Sequence, residues 1–126
     1  MDASCRAAGG LWSTPDDLAK LLVSLAQAIK GASAPVLSKD TARTMLIRQP
    51  PGPYGLGAAV SGAGEALALM KRGQNIGYQS FLILFPFLGK GMVVMTNSDN
   101  GTTLANALVR RAGQAYRWPP VGALMD

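Results

Sequence analysis

Lys71-Arg72-Gly73-Gln74-Asn75-Ile76-Gly77-Tyr78 lies between two apolar stretches that read as β-strands, Ala66 to Lys71 and Tyr78 to Phe85. A cation followed closely by a glycine at the inner edge of a sheet leaves room for a molecule beside the strand. Downstream, Tyr78 to Phe85 is rich in aromatic and branched residues, Pro86 to Lys90 supplies a hairpin loop, and Gly91 to Thr96 runs back as Gly-Met-Val-Val-Met-Thr. Loops this short make neighbouring strands antiparallel. Both segments are apolar at nearly every position, which predicts a sheet covered on both faces.

Upstream of the octapeptide, Tyr54 to Val60 is small and β-like, and Ser61-Gly62-Ala63-Gly64 is a turn leading into the Ala66 strand. Leu11 to Ile29 gives the clearest helix. Thr14 is a good N-cap, Pro15 fits the first helical position, and Asp16-Asp17 place negative charge on the first turn. Leu18, Leu21, Leu22, Leu25 and Ile29 form one apolar stripe that Gly31 closes. A shorter helix starts at the Ser38 cap, buries Ala42, Met45 and Leu46, and stops before Pro50-Pro51. Both helices read as scaffold. After a polar turn at Asn97 to Gly101, a last helix is expected from Thr102 to Tyr116, with Leu104, Ala107, Leu108, Ala112 and Ala115 along one side. The fold class is α+β: an antiparallel sheet flanked by helices, in a single domain over residues 1–126.

Composition narrows the chemistry. Apolar residues make up 48% of the 126 and charged residues 15%, a mix that buries a core instead of staying solvated. The net charge of +5 favours anionic partners, yet the cations are scattered and only Lys71-Arg72 and Arg110-Arg111 are adjacent. A nucleic-acid footprint needs a clustered face, so none is expected. Cys5 is the single cysteine and there is no histidine. That excludes an internal disulfide, His-dependent triads and the usual zinc spacings, and no metal or other cofactor is called for. The longest apolar run, Phe81 to Leu88, is too short to span a bilayer and contains Pro86, and residues 1–6 lack the apolar core of a signal peptide. No membrane role is expected.

Three stretches occur in one order: Ala7-Ala8-Gly9-Gly10-Leu11-Trp12-Ser13-Thr14-Pro15-Asp16-Asp17-Leu18, then Tyr54-Gly55-Leu56-Gly57, then Gly73-Gln74-Asn75-Ile76-Gly77-Tyr78-Gln79-Ser80 with a Pro-containing hairpin and Met95-Thr96-Asn97. In that order they resemble the C-terminal part of the serine β-lactamase and penicillin-binding-protein superfamily, in its class C β-lactamase and esterase-like branch. The resemblance implies a partial β-lactamase/transpeptidase-like fold. It also implies acyl chemistry on β-lactams, D-amino-acid peptides or small esters through a serine acyl-enzyme. Three motifs carry that chemistry in the family: Ser-x-x-Lys, a Tyr-x-Asn or equivalent, and a strand motif Lys-Thr-Gly or His-x-Gly.

Only the third has a match, at Lys71-Arg72-Gly73. By the resemblance, Lys71 polarises the base system and holds an anionic substrate group, Gly73 keeps the groove wall low, and the backbone N–H of Gln74 supplies half of the oxyanion hole. Arg72 and Tyr78 are candidate substrate-binding residues, and Arg72 replaces a small residue at a place where its bulk and charge disfavour ordinary β-lactam binding. None of Ser4, Ser13, Ser24, Ser33, Ser38, Ser61, Ser80 or Ser98 is followed by Lys three positions on, and none of Tyr54, Tyr78 or Tyr116 by Asn two positions on. An unactivated hydroxyl is a weak nucleophile. The expectation is a C-terminal fragment of a serine acyl hydrolase, inactive alone, whose uncovered faces drive association into a homo-oligomer or with a complementary chain.

Plainer readings stand beside these. Lys71-Arg72 taken alone is a solvated strand end, Tyr78 a packing strand residue, Trp12 a core residue ahead of a helix cap, Asn97 to Asn100 a turn with too few carboxylates for calcium, and Cys5 incidental. The alternative function is a non-catalytic binding or assembly module in which Lys71, Arg72 and Gln74 hold an anionic ligand or partner. Compartment is not fixed by these residues. The family is often periplasmic or secreted, and its signal would lie upstream.

Overall fold

The computed structural model describes residues 9–120. Cys5 and the Ala7-Ala8 start of the first motif lie outside them. Helix α1 (Pro15–Lys30) begins where its sequence dictates: Thr14 is extended, its hydroxyl accepts the Asp17 backbone N–H at 3.1 Å and donates to the Asp17 carboxylate. This reciprocal cap satisfies free donors of the first turn, and Gly31 in the left-handed conformation ends the helix. Leu11 to Ser13 precede the helix and are not part of it. Helix α2 (Lys39–Thr44) is capped by Ser38 in the same way, through the Thr41 N–H.

The sheet has four antiparallel strands in sequence order: β1 (Ala59–Ser61), β2 (Ala68–Asn75), β3 (Tyr78–Phe85) and β4 (Lys90–Thr96). Two expectations are corrected. Tyr54 to Val60 is not a strand along its length; only an isolated Tyr54–Ala59 bridge and the short β1 form, with Gly57 in the positive-φ region breaking the run. The octapeptide does not sit between strands. Lys71 to Asn75 are the second half of β2, paired with Leu82 to Tyr78, and the turn is confined to Ile76-Gly77. Gly77 supplies the positive φ that turn requires, and its N–H donates to Asp99 Oδ1 at 2.7 Å.

Side chains alternate across the strands, and both faces are covered as the apolar runs predict. On one face Val60, Leu69 and Leu84 pack with Leu22, Ala26, Ala28 and Ile29 of α1 and Ala42 of α2. On the other, Ala68, Met70, Phe81, Ile83, Phe85 and Val94 pack against Ala105 and Val109 of helix α3 (Gly101–Ala115), with Trp118 against Phe85. Leu21 of the predicted α1 stripe is exposed. The larger correction is in α3. Its buried line is Gly101, Ala105 and Val109, while Leu104 is 54% exposed and Leu108 and Ala107 are also exposed. The helix presents its small residues to the sheet because close approach at Gly101, where an added Cβ would collide with Thr96 Oγ1, fixes its rotation.

Several scattered cations have local work. Arg43 Nε donates to the Ile29 carbonyl, Arg48 Nε to the Val60 carbonyl and Lys90 Nζ to the Tyr116 carbonyl. They tie carbonyls at the ends of elements to neighbouring segments.

Candidate functional site

Strand β1 pairs only with Ala68 to Met70. Beyond it, among the described residues, no strand lies along the outer side of Lys71 to Asn75, so this stretch is a sheet edge whose backbone groups can meet another chain or a ligand. Alternation then sorts the candidate residues. Lys71 and Gly73 continue the face of Leu69, and their partners Leu82 and Ser80 share it. Arg72 and Gln74 continue the face of Met70, toward α3.

Gly73 has a steric reason to be glycine. A Cβ built there would collide with Oγ of Ser80, which itself donates to the Gly73 carbonyl at 3.5 Å. The low wall beside Lys71 is therefore made by a glycine and a serine in register. Lys71 is exposed and its ammonium makes no hydrogen bond or ion pair among the described residues. At the open end of the same face, Asn75 Nδ2 donates to the Gly9 carbonyl at 3.1 Å, holding the segment before α1 against the sheet. Tyr78, opposite Asn75, is half exposed and meets Trp12 edge-on with ring centroids 5.9 Å apart. Trp12 is 84% exposed, so it is not a core residue; its ring helps frame this end of the sheet.

The structure thus brings Lys71, Gly73 and Tyr78 to one face and Arg72 and Gln74 to the other. Arg72 lies over the Phe81 ring at 5.4 Å and donates from Nη2 to Asn106 Oδ1 of α3 at 3.4 Å. Its bulk is turned away from the wall that Lys71 and Gly73 form. Ser80 and Asn75 are the neighbours that sequence reading missed. Their signal was the two-residue turn, which fixes the pairing register and puts Ser80 opposite Gly73. No group of three or more Cys, Asp or Glu that could hold a metal occurs among the described residues, and no helix there is long and apolar enough to cross a membrane.

An α+β domain with an open, cationic strand edge is the class of protein this arrangement defines. The sequence model of the Beta-lactamase family matches residues 1–117, and the chain belongs to that family. Its fold is similar to the crystal structure of SurE with D-Leu, at a TM-score of 0.74 and 25% identity, over 89% of this chain. The match spans 28% of the SurE chain. No curated protein sequence matches this one significantly.

Proposed function

We propose that this chain is the C-terminal portion of a serine acyl hydrolase of the β-lactamase, D-Ala carboxypeptidase or esterase type, folding as one domain and contributing one wall of the active site. Lys71 on that wall places an ammonium beside the reacting groups and an anionic part of the substrate, Gly73 keeps the groove shallow, and the Gln74 N–H serves as an oxyanion donor. The observation that carries this reading is the edge at Lys71 to Asn75, along which no strand pairs among the described residues, so that strand donors and acceptors there can meet an extended substrate. Tyr78 and Trp12 bound the far end of the same face. The substrate class is a β-lactam, a D-amino-acid peptide or a small ester.

Family membership over residues 1–117 together with 28% coverage of SurE supports a chain that works with further sequence. The nucleophile and its base come from that remainder, and the chain alone has no turnover. Two edges favour association with a complementary segment or a second copy: Lys71 to Asn75 and the outer side of β4, where an apolar groove of about 310 Å³ runs between α1 and the strand.

One fact favours a second reading, a non-catalytic binding or assembly module: no serine in the 126 residues carries a lysine three positions on. The coding DNA upstream of Met1 separates the two. An open frame continuing to a Ser-x-x-Lys is expected; an in-frame stop followed by a ribosome site before Met1 would favour the module.

A further inference from the structure

We infer that the outer edge of β4 and the side of α1 above it bind a second copy of this chain, β4 against β4 and α1 against α1 about one two-fold axis. The surface lies at the far side of the sheet from Lys71, so the pairing is independent of the acyl-transfer wall.

The sheet offers its edges unequally. Self-pairing along Lys71 to Asn75 would gather Lys71 and Arg72 of both copies onto one short ladder, where like charges repel. β1 is only three residues long. Among the described residues no strand pairs with the outer side of β4, and the strand lacks the devices that protect an edge. Gly91 to Thr96 holds no charge and no proline, and its pairing with β3 runs without a bulge. Antiparallel self-pairing centred on Val93 sets Lys90 against the partner's Thr96, so no like charges meet.

α1 lies chiefly over β4 and runs antiparallel to it. The ammonium of Lys30, its last residue, comes beside Gly89 just ahead of β4. Trp12, ahead of its first turn, meets Tyr78 next to the Gln79–Thr96 pair at the other end of the strand. Ala19, Val23 and Lys30 of α1 and Met92 and Val93 of β4 line the groove of about 310 Å³ between them. Asp16 falls on the same side of the helix, about two turns before Val23, as Lys30 falls about two turns after it. Val23, halfway from Asp16 to Lys30, thus stands level with Val93, halfway along β4. One two-fold axis therefore serves both elements. Paired strands lie about 4.8 Å apart and packed helices about 8–10 Å apart, and a helix seated over β4 and set inward toward β3 meets both spacings.

The charges agree with that axis. A two-fold at Val23 puts Asp16 opposite the partner's Lys30 at each end and sets the two helix dipoles antiparallel. Asp16 already accepts from Lys20 at 2.7 Å, and a carboxylate has acceptor sites for a second cation. Val23, 57% exposed, meets its own copy over the groove. The face is self-complementary, as an isologous dimer requires.

The test is sedimentation velocity on the full chain over micromolar concentrations. A species of twice 13.1 kDa that dissociates on dilution is expected. Val23→Glu, at an exposed site and shown folded by circular dichroism, should weaken the dimer by about tenfold or more, while Leu104→Glu on α3 leaves it unchanged. Lys30→Asp should weaken it by about fivefold, and the swap Asp16→Lys/Lys30→Asp should recover most of that loss. Amide exchange within Gly91 to Thr96 should slow as the dimer forms, with Lys71 to Asn75 unmoved. A chain that stays monomeric throughout, a dimer unaffected by Val23→Glu, or protection along Lys71 to Asn75 instead of β4 would overturn the pairing. A charge swap that recovers nothing would overturn the two-fold at Val23.

Discussion

Gly73 and Ser80 carry the most specific residue-scale claim. An alanine Cβ at 73 collides with Ser80 Oγ, so Gly73→Ala should destabilise the chain by about 1–3 kcal/mol, as overpacking does. Removing the hydroxyl relieves the clash, because Ser80 Cβ stands 3.7 Å from the same point. The double variant Gly73→Ala/Ser80→Ala should therefore recover most of the loss in urea unfolding; an additive cycle would refute the register argument. Ser24 behaves oppositely. Its buried Oγ has no hydrogen-bond partner among the described residues, so Ser24→Ala should be neutral or stabilising by about 1 kcal/mol in the same measurement.

At the scale of elements, local chemistry was legible and rotation was not. Thr14, Pro15 and Gly31 marked the caps of α1 and Ser38 the start of α2, because caps act through backbone donors nearest in sequence, whereas the expected spans ran too long, from Leu11 in α1 and past Thr44 through Met45 and Leu46 in α2. The face of α3 was misread because Leu104 and Leu108 outweigh Ala105 and Val109 in hydrophobicity, whereas contact with the sheet is set by how closely Gly101 can approach Thr96. The candidate wall shows the same division. Lys71 and Gly73 could be singled out from the strand motif, but Ser80, Asn75 and the opposite facing of Arg72 depend on pairing across a hairpin.

The α1 terminus also sets a pH dependence. Asp17 is held below its ordinary value of 3.8, first by the hydrogen bond from Lys20, then by that from Thr14. A lowered carboxyl stabilises the fold above about pH 4 and loses that contribution as pH falls through its folded value. Lys20 is raised above 10.5, first by its hydrogen bond to Asp16 and then by Asp17, so its contribution is present below 10.5 and lost as pH rises through the raised value. Both groups are exposed, so the effect is small. Lys20→Met should flatten both limbs of thermal stability against pH; unchanged limbs would contradict the pairing.

On the scale of the whole molecule, two sheet edges and exposed Leu104, Leu108, Leu21 and Val23 leave apolar and hydrogen-bonding surface unpartnered among the described residues. Light scattering on the eluting chain at micromolar concentration should report a species heavier than 13.1 kDa. A compact monomer would refute association. This surface was inferable in sequence only through the resemblance, since no local pattern reveals which strand of a sheet lacks a neighbour.

The central claim is that Lys71, Gly73 and Gln74 are one wall of an acyl-transfer site completed by residues outside these 126. Its most direct test is hydrolysis of nitrocefin and p-nitrophenyl esters by the purified chain. Turnover equal to buffer is expected from the chain alone. In the longer reading frame, turnover should appear, and Lys71→Ala should lower kcat by about 10²-fold or more, the scale of losing a preorganised charge. Turnover by the isolated chain that a covalent serine reagent and Lys71→Ala both abolish would contradict the account.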